Sequence, residues 1–445
     1  MNTAVSETAS QADLAPALHG QEEDLFRRVT WRLIPLLLIC YIMANIDRVN
    51  IGMAQLDMVK TLGFNDAVYG FGAGIMFVSY ALFEVPSNLL LQKIGARKTL
   101  MRIMICWGLT SAAVMFVTTP AMFYTSRFLL GVFEAGFYPG VIYYLTRWYP
   151  SSRRGKALAL FSCGLSVANV VANPLGGWLI KTFDGVWGLH GWQWLFPLEG
   201  LPCVLLGVVL SFYLDESPAA AKWLSPQDKH LIAARLVDDS SQTSGATEKN
   251  FSDTLRDPRL YQFAFVYFCL ICGIAVMPFW LPNIIKGMGY RDVAQIGLLA
   301  AIPATFAVAT TILLSAHSDK TMERRWHAGV TALLGAAGMA LVPVALSYGE
   351  LAAFACLIVA AACTAAVVPV FWSIPTAIFS GHGAAGGIAF ISSVGLLGGF
   401  ISPWLTGFFK ALTGSISIGL YANAGIFAMG ALALLMFTRP QPGRQ

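Results

Sequence analysis

The chain has 445 residues, of which 56% are hydrophobic and only 12% are charged, and its formal net charge is +5. An average soluble domain has about 25% charged residues, so these charges are too few to cover soluble domains of this total length. The composition excludes a soluble multidomain enzyme and a disordered chain, and it indicates that most of the surface faces lipid.

Twelve apolar segments are each long enough to cross the roughly 30 Å core of a bilayer as a helix. They lack the two-residue alternation of barrel strands, so we expect an all-α integral membrane protein. The polar, acidic start has no features of a cleaved signal peptide, and residues 1–28 are predicted to form a cytoplasmic tail. The predicted spans, numbered 1 to 12 in chain order, are residues 31–52, 68–91, 99–119, 121–146, 157–180, 192–214, 259–285, 293–316, 326–347, 350–379, 385–409 and 415–437.

A long polar stretch, residues 215–258, separates the first six spans from the last six and is predicted to be a cytoplasmic linker. The sequence thus predicts an N-terminal six-helix bundle over residues 29–214, a C-terminal bundle over residues 259–438 and a short tail over residues 439–445. Short basic segments follow spans 2 and 8, at equivalent places in the two halves, as expected of a duplicated six-helix unit.

If the chain crosses the membrane once at each predicted span, most of the 29 Lys and Arg residues lie on the same side of the membrane as the N-terminus. Because cytoplasmic loops carry the excess of basic residues, we expect both termini in the cytoplasm and the protein in the inner (cytoplasmic) membrane. The eight cysteines all lie in apolar stretches, which argues against a secreted disulfide framework.

Ionisable residues inside the spans are concentrated in the first half of the chain. Such residues are costly in lipid and usually face an aqueous cavity or a charged partner. At about 1.5 Å of rise per residue, Asp47, Arg48 and Arg127 are predicted at a similar depth. Glu134 is expected about two turns deeper, on the face of Arg127. Two acids and two bases would then line one cavity, unless an Asp47–Arg127 ion pair merely locks spans 1 and 4 together.

This pattern of charges has a chemical use. An arginine that faces a cavity is a good receptor for a carboxylate, because its planar fork donates two hydrogen bonds. When an anion occupies the arginine, a neighbouring carboxyl group loses its stabilising positive charge and is expected to take up a proton. The four residues therefore predict that an anion and a proton are moved together.

Aromatic residues are candidates for the apolar wall of the cavity. Tyr41 is two turns from Arg48, Tyr80 is one turn from Glu84, and Trp372 lies in span 10. We expect Tyr80 and Trp372 to contact the substrate, although aromatic residues in membrane proteins often serve only in packing or at the interface.

The sequence has no arrangement of residues typical of an enzyme. It lacks a GxxxxGK[ST] phosphate loop, an HExxH motif and a GxSxG motif, and its six histidines are scattered. We therefore expect no catalytic residues, no metal and no cofactor. The expected partners are a small organic anion, protons and the lipid bilayer, without nucleic acid, and the protein is expected to be a monomer. Glu84 and Glu199, each followed closely by a proline, are interpreted as structural.

Several segments, together with the twelve spans and the linker, are similar to a known family. They are Asp47–Gly52, Phe83–Asn88, Gly95–Lys98, Arg127–Gly140, Gly191–Phe196 with Glu199 and Gly200, and Ser318–Asp319 with Glu323–His327. With these the chain resembles the major facilitator superfamily and, within it, the anion:cation symporter family, from about residue 27 to the last span.

The resemblance implies the major facilitator fold, in which twelve transmembrane helices form two six-helix bundles. Members of the family import organic anions such as tartrate, phthalate, hydroxyphenylacetate and sugar acids with protons. By this resemblance, Arg48 and Arg127 hold the carboxylate, and Asp47 and Glu134 carry the proton.

The chain also departs from the family pattern. Gln92 stands where the superfamily loop signature has an Asp, which puts the gating salt bridge of the first half in doubt, whereas Asp319 is kept in the second half. Ser392 stands in span 11 where relatives often have Asn, and Leu165 stands in span 5 where sugar-acid relatives can have Gln. Fewer amide groups suggest fewer hydroxyls on the substrate, which favours an aromatic or compact carboxylate. Asp319, Arg97 and Arg324, which lie in the two loop signatures, are expected to have gating or structural roles. Glu84 is placed in the same group because it precedes Pro86, and Ser392 is expected to contact the substrate.

The favoured prediction is a proton-coupled importer of a small organic carboxylate, in which the two bundles rock about a central site. An anion exchanger or a drug/proton antiporter of the same fold is one alternative, because residues 173–177 of span 5 partly match an antiporter signature. A membrane sensor that binds a ligand without transporting it is another, although the linker is short for a signalling domain.

Overall fold

A computed structural model describes residues 10–243, 254–379 and 382–438 of the chain. In these residues, twelve helices are long and apolar enough to cross a membrane, and no strand is present. The helices form two bundles of six, so the predicted fold class is confirmed. The predicted tail over residues 439–445 lies outside the described residues, as do the first nine residues and part of the linker.

The helices follow the predicted spans in order. In the N-terminal half they are Ser10–Thr61, Asp66–Ile94, Ala96–Ala113, Pro120–Glu134 with Phe137–Thr146, Ser151–Phe183 and Gly191–Tyr213. In the C-terminal half they are Pro258–Gly287, Val293–Thr321, Arg325–Leu346, Glu350–Ile378, His382–Thr413 and Ser417–Phe437. A linker helix, Pro226–Thr243, lies between the two halves.

Side chains at the predicted boundaries explain where several helices begin. Asn65 accepts a hydrogen bond from the backbone N–H of Val68 at 2.8 Å, and Thr119 plays the same part immediately before Pro120. These residues satisfy amides that have no partner inside the helix, and proline suits the first helical position because it has no N–H to satisfy.

Span 1 is longer than predicted, because its helix runs on to Thr61. The additional residues include Met53 and Met58, which are fully buried in an apolar cluster that also contains Phe279 of span 7. Polar residues between them, such as Gln55 and Asp57, lower the hydropathy of this stretch. A prediction based on apolar runs therefore ends span 1 before it.

Span 4 is predicted as one helix but is broken into two. Its first part ends at Glu134, Gly136 adopts a left-handed conformation with φ 91°, and the second part begins at Phe137. A Cβ atom at Gly136 would collide with the side chain of Ser87 in span 2. Both the positive φ and this close approach require glycine. The break places Glu134 at the last residue of a helix inside the bundle.

The two bundles pack against each other over one half of their thickness. We call the side next to the linker the linker face and the opposite side, which carries turns such as residues 62–65, the hairpin face. One buried apolar cluster draws residues from both bundles near the hairpin face, whereas the two large clusters nearer the linker face each belong to one bundle. The bundles are therefore joined at the hairpin face and separate toward the linker face.

Polar contacts between the bundles follow the same distribution. In the described residues, the ion pairs that join the bundles are Lys410–Asp66, at 2.8 Å, and Lys181–Asp292. Both lie near the hairpin face, where the Tyr69 hydroxyl also donates to the backbone oxygen of Phe279 at 2.8 Å. We call these contacts the hairpin-face latch.

The linker helix belongs structurally to the N-terminal bundle. Leu224 and Ile232 of the linker are buried in the core of that bundle. Arg235 pairs with the buried Glu22 at 2.7 Å, and Asp228 pairs with Arg28 at 3.2 Å.

Candidate functional site

The four charged residues predicted to line a cavity lie together inside the N-terminal bundle. Asp47 and Arg48 come from span 1, and Arg127 and Glu134 from the first segment of span 4. Arg127 lies close enough to Asp47, Arg48 and Glu134 for their charges to interact, and Glu134 also interacts with Asp47 and Arg48. The Asp47–Arg127 ion pair considered as the structural alternative is not formed. The structure instead pairs Arg48 with Glu134.

Arg48 and Glu134 form an ion pair through one guanidinium nitrogen and one carboxylate oxygen. The side chain of Arg48 is 31% exposed, whereas that of Glu134 is 3% exposed, so Arg48 is the member that faces open space. The contact is not bidentate, because Nε of Arg48 and Oε2 of Glu134 have no hydrogen-bond partner in the described residues. Arg48 therefore retains donor capacity for a second carboxylate.

Asp47 faces away from this pair and toward span 3. Its carboxylate accepts hydrogen bonds from Asn50 at 3.0 Å, from the indole N–H of Trp107 and from the hydroxyl of Ser111. Asp47 is fully buried. Three donors stabilise the ionised form of a carboxyl group in the absence of a cation in direct contact.

Trp107 and Ser111 were not among the residues predicted for the site. They lie four residues apart on span 3 and so share one helix face. That spacing is visible in the sequence, but the partner of this face is set by the packing of span 3 against span 1. Asn50 lies one turn after Asp47 and is a polar residue inside an apolar span. Its sequence position could therefore have identified it as a partner of Asp47.

Arg127 is the least satisfied charged group of the site. It is fully buried, and one terminal nitrogen lies 3.3 Å from the sulfur of Met76. Its Nε and Nη1 atoms have no hydrogen-bond partner in the described residues. A buried cation without direct partners is costly, so an anion that reached Arg127 would recover much of that cost.

The predicted aromatic contacts divide between the two bundles. Tyr80 is buried beside the charged residues, with the Arg48 guanidinium 5.8 Å from the centre of its ring. Tyr41 stacks on Phe161 with ring centres 4.6 Å apart, and this contact makes it part of the packing of the N-terminal bundle. Trp372 is half-buried in the C-terminal bundle, edge-on to Tyr267.

The remaining predicted residues lie farther from the charged group. Ser392, in span 11, is half-buried. Glu84 is half-buried and forms no ion pair within the described residues. Asp319 and Arg324 form an ion pair in the turn between spans 8 and 9, and Arg324 also donates to Ser318 at 3.0 Å.

In the first half, Glu216 supplies the acid that Gln92 does not. Its carboxylate accepts hydrogen bonds from the first two backbone amides of span 3, at 2.8 and 3.1 Å, and pairs with Arg147 at 3.1 Å. A carboxylate at a helix N-terminus is favourable because it meets unpaired amides and the positive end of the helix dipole. The side chain of Arg97 donates to the backbone oxygen of Ser211 rather than to an acid.

No group of three or more His, Cys, Asp or Glu residues that would hold a metal ion is found in the part of the chain that the structure describes. The site consists of buried acidic and basic groups, and its two arginines have hydrogen-bond donors without partners in the described residues. Such a site can bind an anion and exchange protons.

Comparisons with known proteins identify the family of the chain. Residues 37–403 match the family model described as Major Facilitator Superfamily. The chain is 42% identical to a putative metabolite transport protein, NicT, of Pseudomonas putida over 417 residues, covering 94% of this chain and 95% of the relative. It is also 42% identical to a putative tartrate transporter of Agrobacterium vitis, with 95% and 96% covered.

Other relatives are named for a different type of substrate. A quinolone resistance transporter of Acinetobacter baumannii is 41% identical, with 92% of this chain and 94% of the relative covered. Among solved structures, the D-xylose-proton symporter superposes with a TM-score of 0.75 at 14% identity, covering 92% of this chain and 98% of that one. This likeness concerns the fold alone.

Proposed function

We propose, from the premise that this chain belongs to the Major Facilitator Superfamily, that it imports a small organic carboxylate together with protons. The family and the relatives are membrane transporters and not enzymes, so a transporter is the starting point. The observation that carries the proposal is Arg127, a fully buried guanidinium with two nitrogens that lack hydrogen-bond partners in the described part of the chain.

Arg48 is the proposed entry point for the anion. Protonation of Glu134 would remove its charge and release Arg48, which then binds the carboxylate of the substrate. One negative charge replaces another beside the guanidinium, so Arg48 is not left without a negative partner. Breaking a buried ion pair without such a replacement costs about 3–5 kcal/mol. This cost links anion binding to proton binding.

Asp47 is proposed as the second proton-coupling residue. Its three donors favour the ionised form, against the effect of burial, while spans 1 and 3 keep their present register. A movement of span 1 against span 3 would remove donors and favour uptake of a proton. Asp47 would thus respond to the conformation of the bundle, whereas Glu134 responds to the substrate.

Alternating access is supported by the distribution of contacts between the bundles. If the basic linker face is cytoplasmic, the hairpin-face latch closes the outer side and the site opens inward. Opening to the outside would require the Lys410–Asp66 and Lys181–Asp292 pairs to break. We propose that Asp319 with Arg324, and Glu216 with Arg147, act on the linker face in the opposite state.

The proposal includes location and organisation. We propose an inner-membrane protein, monomeric, with both termini cytoplasmic, an N-terminal bundle over residues 29–214 and a C-terminal bundle over residues 259–438. The substrate is proposed to be a compact hydroxy- or dicarboxylate or an aromatic acid. The name of the tartrate relative supports the first, and the aromatic residues Tyr80 and Trp372 are compatible with the second.

A second candidate is a drug/proton antiporter, because one relative at 41% identity is named a quinolone resistance transporter. An anion exchanger is the other transport mode that uses the same site. The sensor alternative is not retained, because the family and the relatives are transporters.

The test uses purified protein in proteoliposomes. Uptake of radiolabelled tartrate, phthalate and an aromatic hydroxy acid is measured with an imposed inward proton gradient and again after a proton ionophore. We expect gradient-dependent accumulation of at least one acid, and loss of its binding in Arg127→Ala with the protein still folded. Accumulation unaffected by the ionophore, or binding retained in Arg127→Ala, would contradict the proposal. Quinolone efflux without acid uptake would favour the antiporter.

A further inference from the structure

A buried acid outside the site described so far has no ion pair and no hydrogen bond of normal geometry in the described residues. Glu199, in span 6, is 1% exposed, and neither of its carboxyl oxygens has a hydrogen-bond partner in the described residues. It forms no ion pair there either. An ionised carboxylate in such surroundings costs many kcal/mol, and a buried acid normally avoids the cost by binding a proton. A proton bound to Glu199 would remove this cost.

The neighbour of Glu199 connects it to the site. Its carboxyl group lies against the side-chain amide of Asn50. The nitrogen of that amide donates to Asp47 at 3.0 Å, and Oδ1 of Asn50 has no partner in the described residues. Asn50 thus lies between two buried acids: Asp47 accepts three hydrogen bonds, and Glu199 accepts none of normal geometry in the described residues.

An amide has one donor end and one acceptor end, so its orientation determines which acid can be charged. With its NH2 group turned to an ionised Asp47, Asn50 offers only its oxygen to Glu199, and only a protonated Glu199 can donate to that oxygen. After a half turn of the amide, a protonated Asp47 donates to the oxygen and the NH2 group faces Glu199, which can then be ionised. Each orientation is compatible with one proton on the pair.

The helices around Glu199 bring few other titratable groups near it. Span 1 contributes Asp47, and Cys203 is the neighbour on span 6 itself. Span 3 faces this region with Gly108, whose backbone oxygen would lie 2.7 Å from a Cβ atom at Gly200. Span 5 meets span 6 through small and apolar side chains. Asp47 is therefore the charged group that interacts electrostatically with Glu199.

We propose that Glu199 is a further proton-binding residue of the transporter, linked to Asp47 by the side chain of Asn50 so that the two carboxyl groups share one proton. The inference rests on the proposed proton-coupled transport. Each carboxyl group exchanges its proton with water when its side of the bundle is hydrated, and the amide carries no proton itself. Release of a proton by Asp47 thus favours its retention by Glu199.

The test is Glu199→Gln in the full-length protein. Glutamine donates permanently to Oδ1 of Asn50, so the amide stays turned toward Asp47 and holds it ionised. We expect the pH dependence of gradient-driven uptake to move to lower pH by about one unit, which corresponds to about a tenfold change in proton occupancy. The ratio of gradient-driven uptake to anion counterflow should also fall. Glu350→Gln, at an exposed carboxyl group on the hairpin face, controls for the loss of one acid.

A second measurement separates this inference from the proposed function. Infrared difference spectra should show the C=O band of a protonated carboxyl group at neutral pH in the wild type, and Glu199→Gln should lack it. An unchanged band or an unchanged pH profile overturns the assignment of Glu199. Absence of proton-dependent uptake in the wild type, with the band present, overturns only the proposed transport mode. If Glu199→Gln does not fold, Asn50→Leu removes the amide between the two acids. The pH dependence of gradient-driven uptake should then change, and an unchanged pH profile overturns the assignment of Glu199.

Discussion

The ion pair between Arg48 and Glu134 gives a prediction with a defined sign. Glu134→Gln keeps the size and polarity of the side chain but mimics a permanently protonated acid. In the proposed mechanism, the anion competes with Glu134 for Arg48 in the wild type. In the variant the guanidinium is available at every pH, so we expect tighter binding of the anion above neutral pH and a loss of the pH dependence of binding.

The magnitude follows from burial. Losing one member of a fully buried pair costs about 3–5 kcal/mol. Arg48 is close to a third exposed, so water screens part of the interaction, and we expect about 1.5–3 kcal/mol. Since each 1.4 kcal/mol is a factor of ten, anion affinity at alkaline pH should rise by about ten- to a hundredfold relative to the wild type. Accumulation against a gradient should be lost, because Glu134 is the proton-binding residue that responds to the substrate.

The assay is equilibrium binding of a radiolabelled acid to purified protein, from acidic to alkaline pH, with Glu350→Gln as the control for net charge. Proteoliposome counterflow is measured on the same preparations. Affinity in Glu134→Gln that still falls as pH rises, or that is weaker than in the wild type at every pH, would refute competition between Glu134 and the substrate.

Three further predictions concern other parts of the molecule. Trp107→Phe removes one donor from Asp47; it should cost about 1–3 kcal/mol of stability and raise the pH at which uptake is half-maximal, as measured by thermal unfolding and pH-dependent uptake. The hydrogen bond from Lys181 lowers the pKa of Asp292, so their contact should be present above the ordinary pKa of Asp and be lost only as pH falls through that lowered value; distance measurements by spin labels across the hairpin face check this. Trp372→Ala should weaken binding of an aromatic acid several-fold and that of tartrate less, as measured by competition.

The sequence was sufficient for the spans because lipid imposes a long apolar run on each helix. It was also sufficient to bring the four charged residues together, because a fixed helical rise places Asp47 and Arg127 at comparable depth. The pairing within that group was not predictable. Whether Arg127 or Arg48 meets an acid depends on the rotation of spans 1 and 4 about their axes, and hydropathy does not determine rotation within a bundle.

Other features depend on contacts between distant segments. The role of Glu216 arises because the end of span 6 meets the start of span 3, about 120 residues away in the chain. Asp47 obtains two of its donors from span 3 in the same way. The break at Gly136 was visible only as one glycine among several in span 4, and small residues in membrane helices more often serve close packing.

The interruption of span 4 has a mechanical consequence. A continuous helix would tilt as one body. In the proposed transport cycle, a helix divided at Gly136 would bend there, so that the part carrying Arg127 would move while Phe137–Thr146 stays in place. The free carbonyl groups at the end of Pro120–Glu134 also give that pivot a partial negative charge, which attracts Arg48 even after Glu134 is neutralised. The interruption of span 4 would therefore help Arg48 to return to its position beside the end of Pro120–Glu134 after the substrate has dissociated.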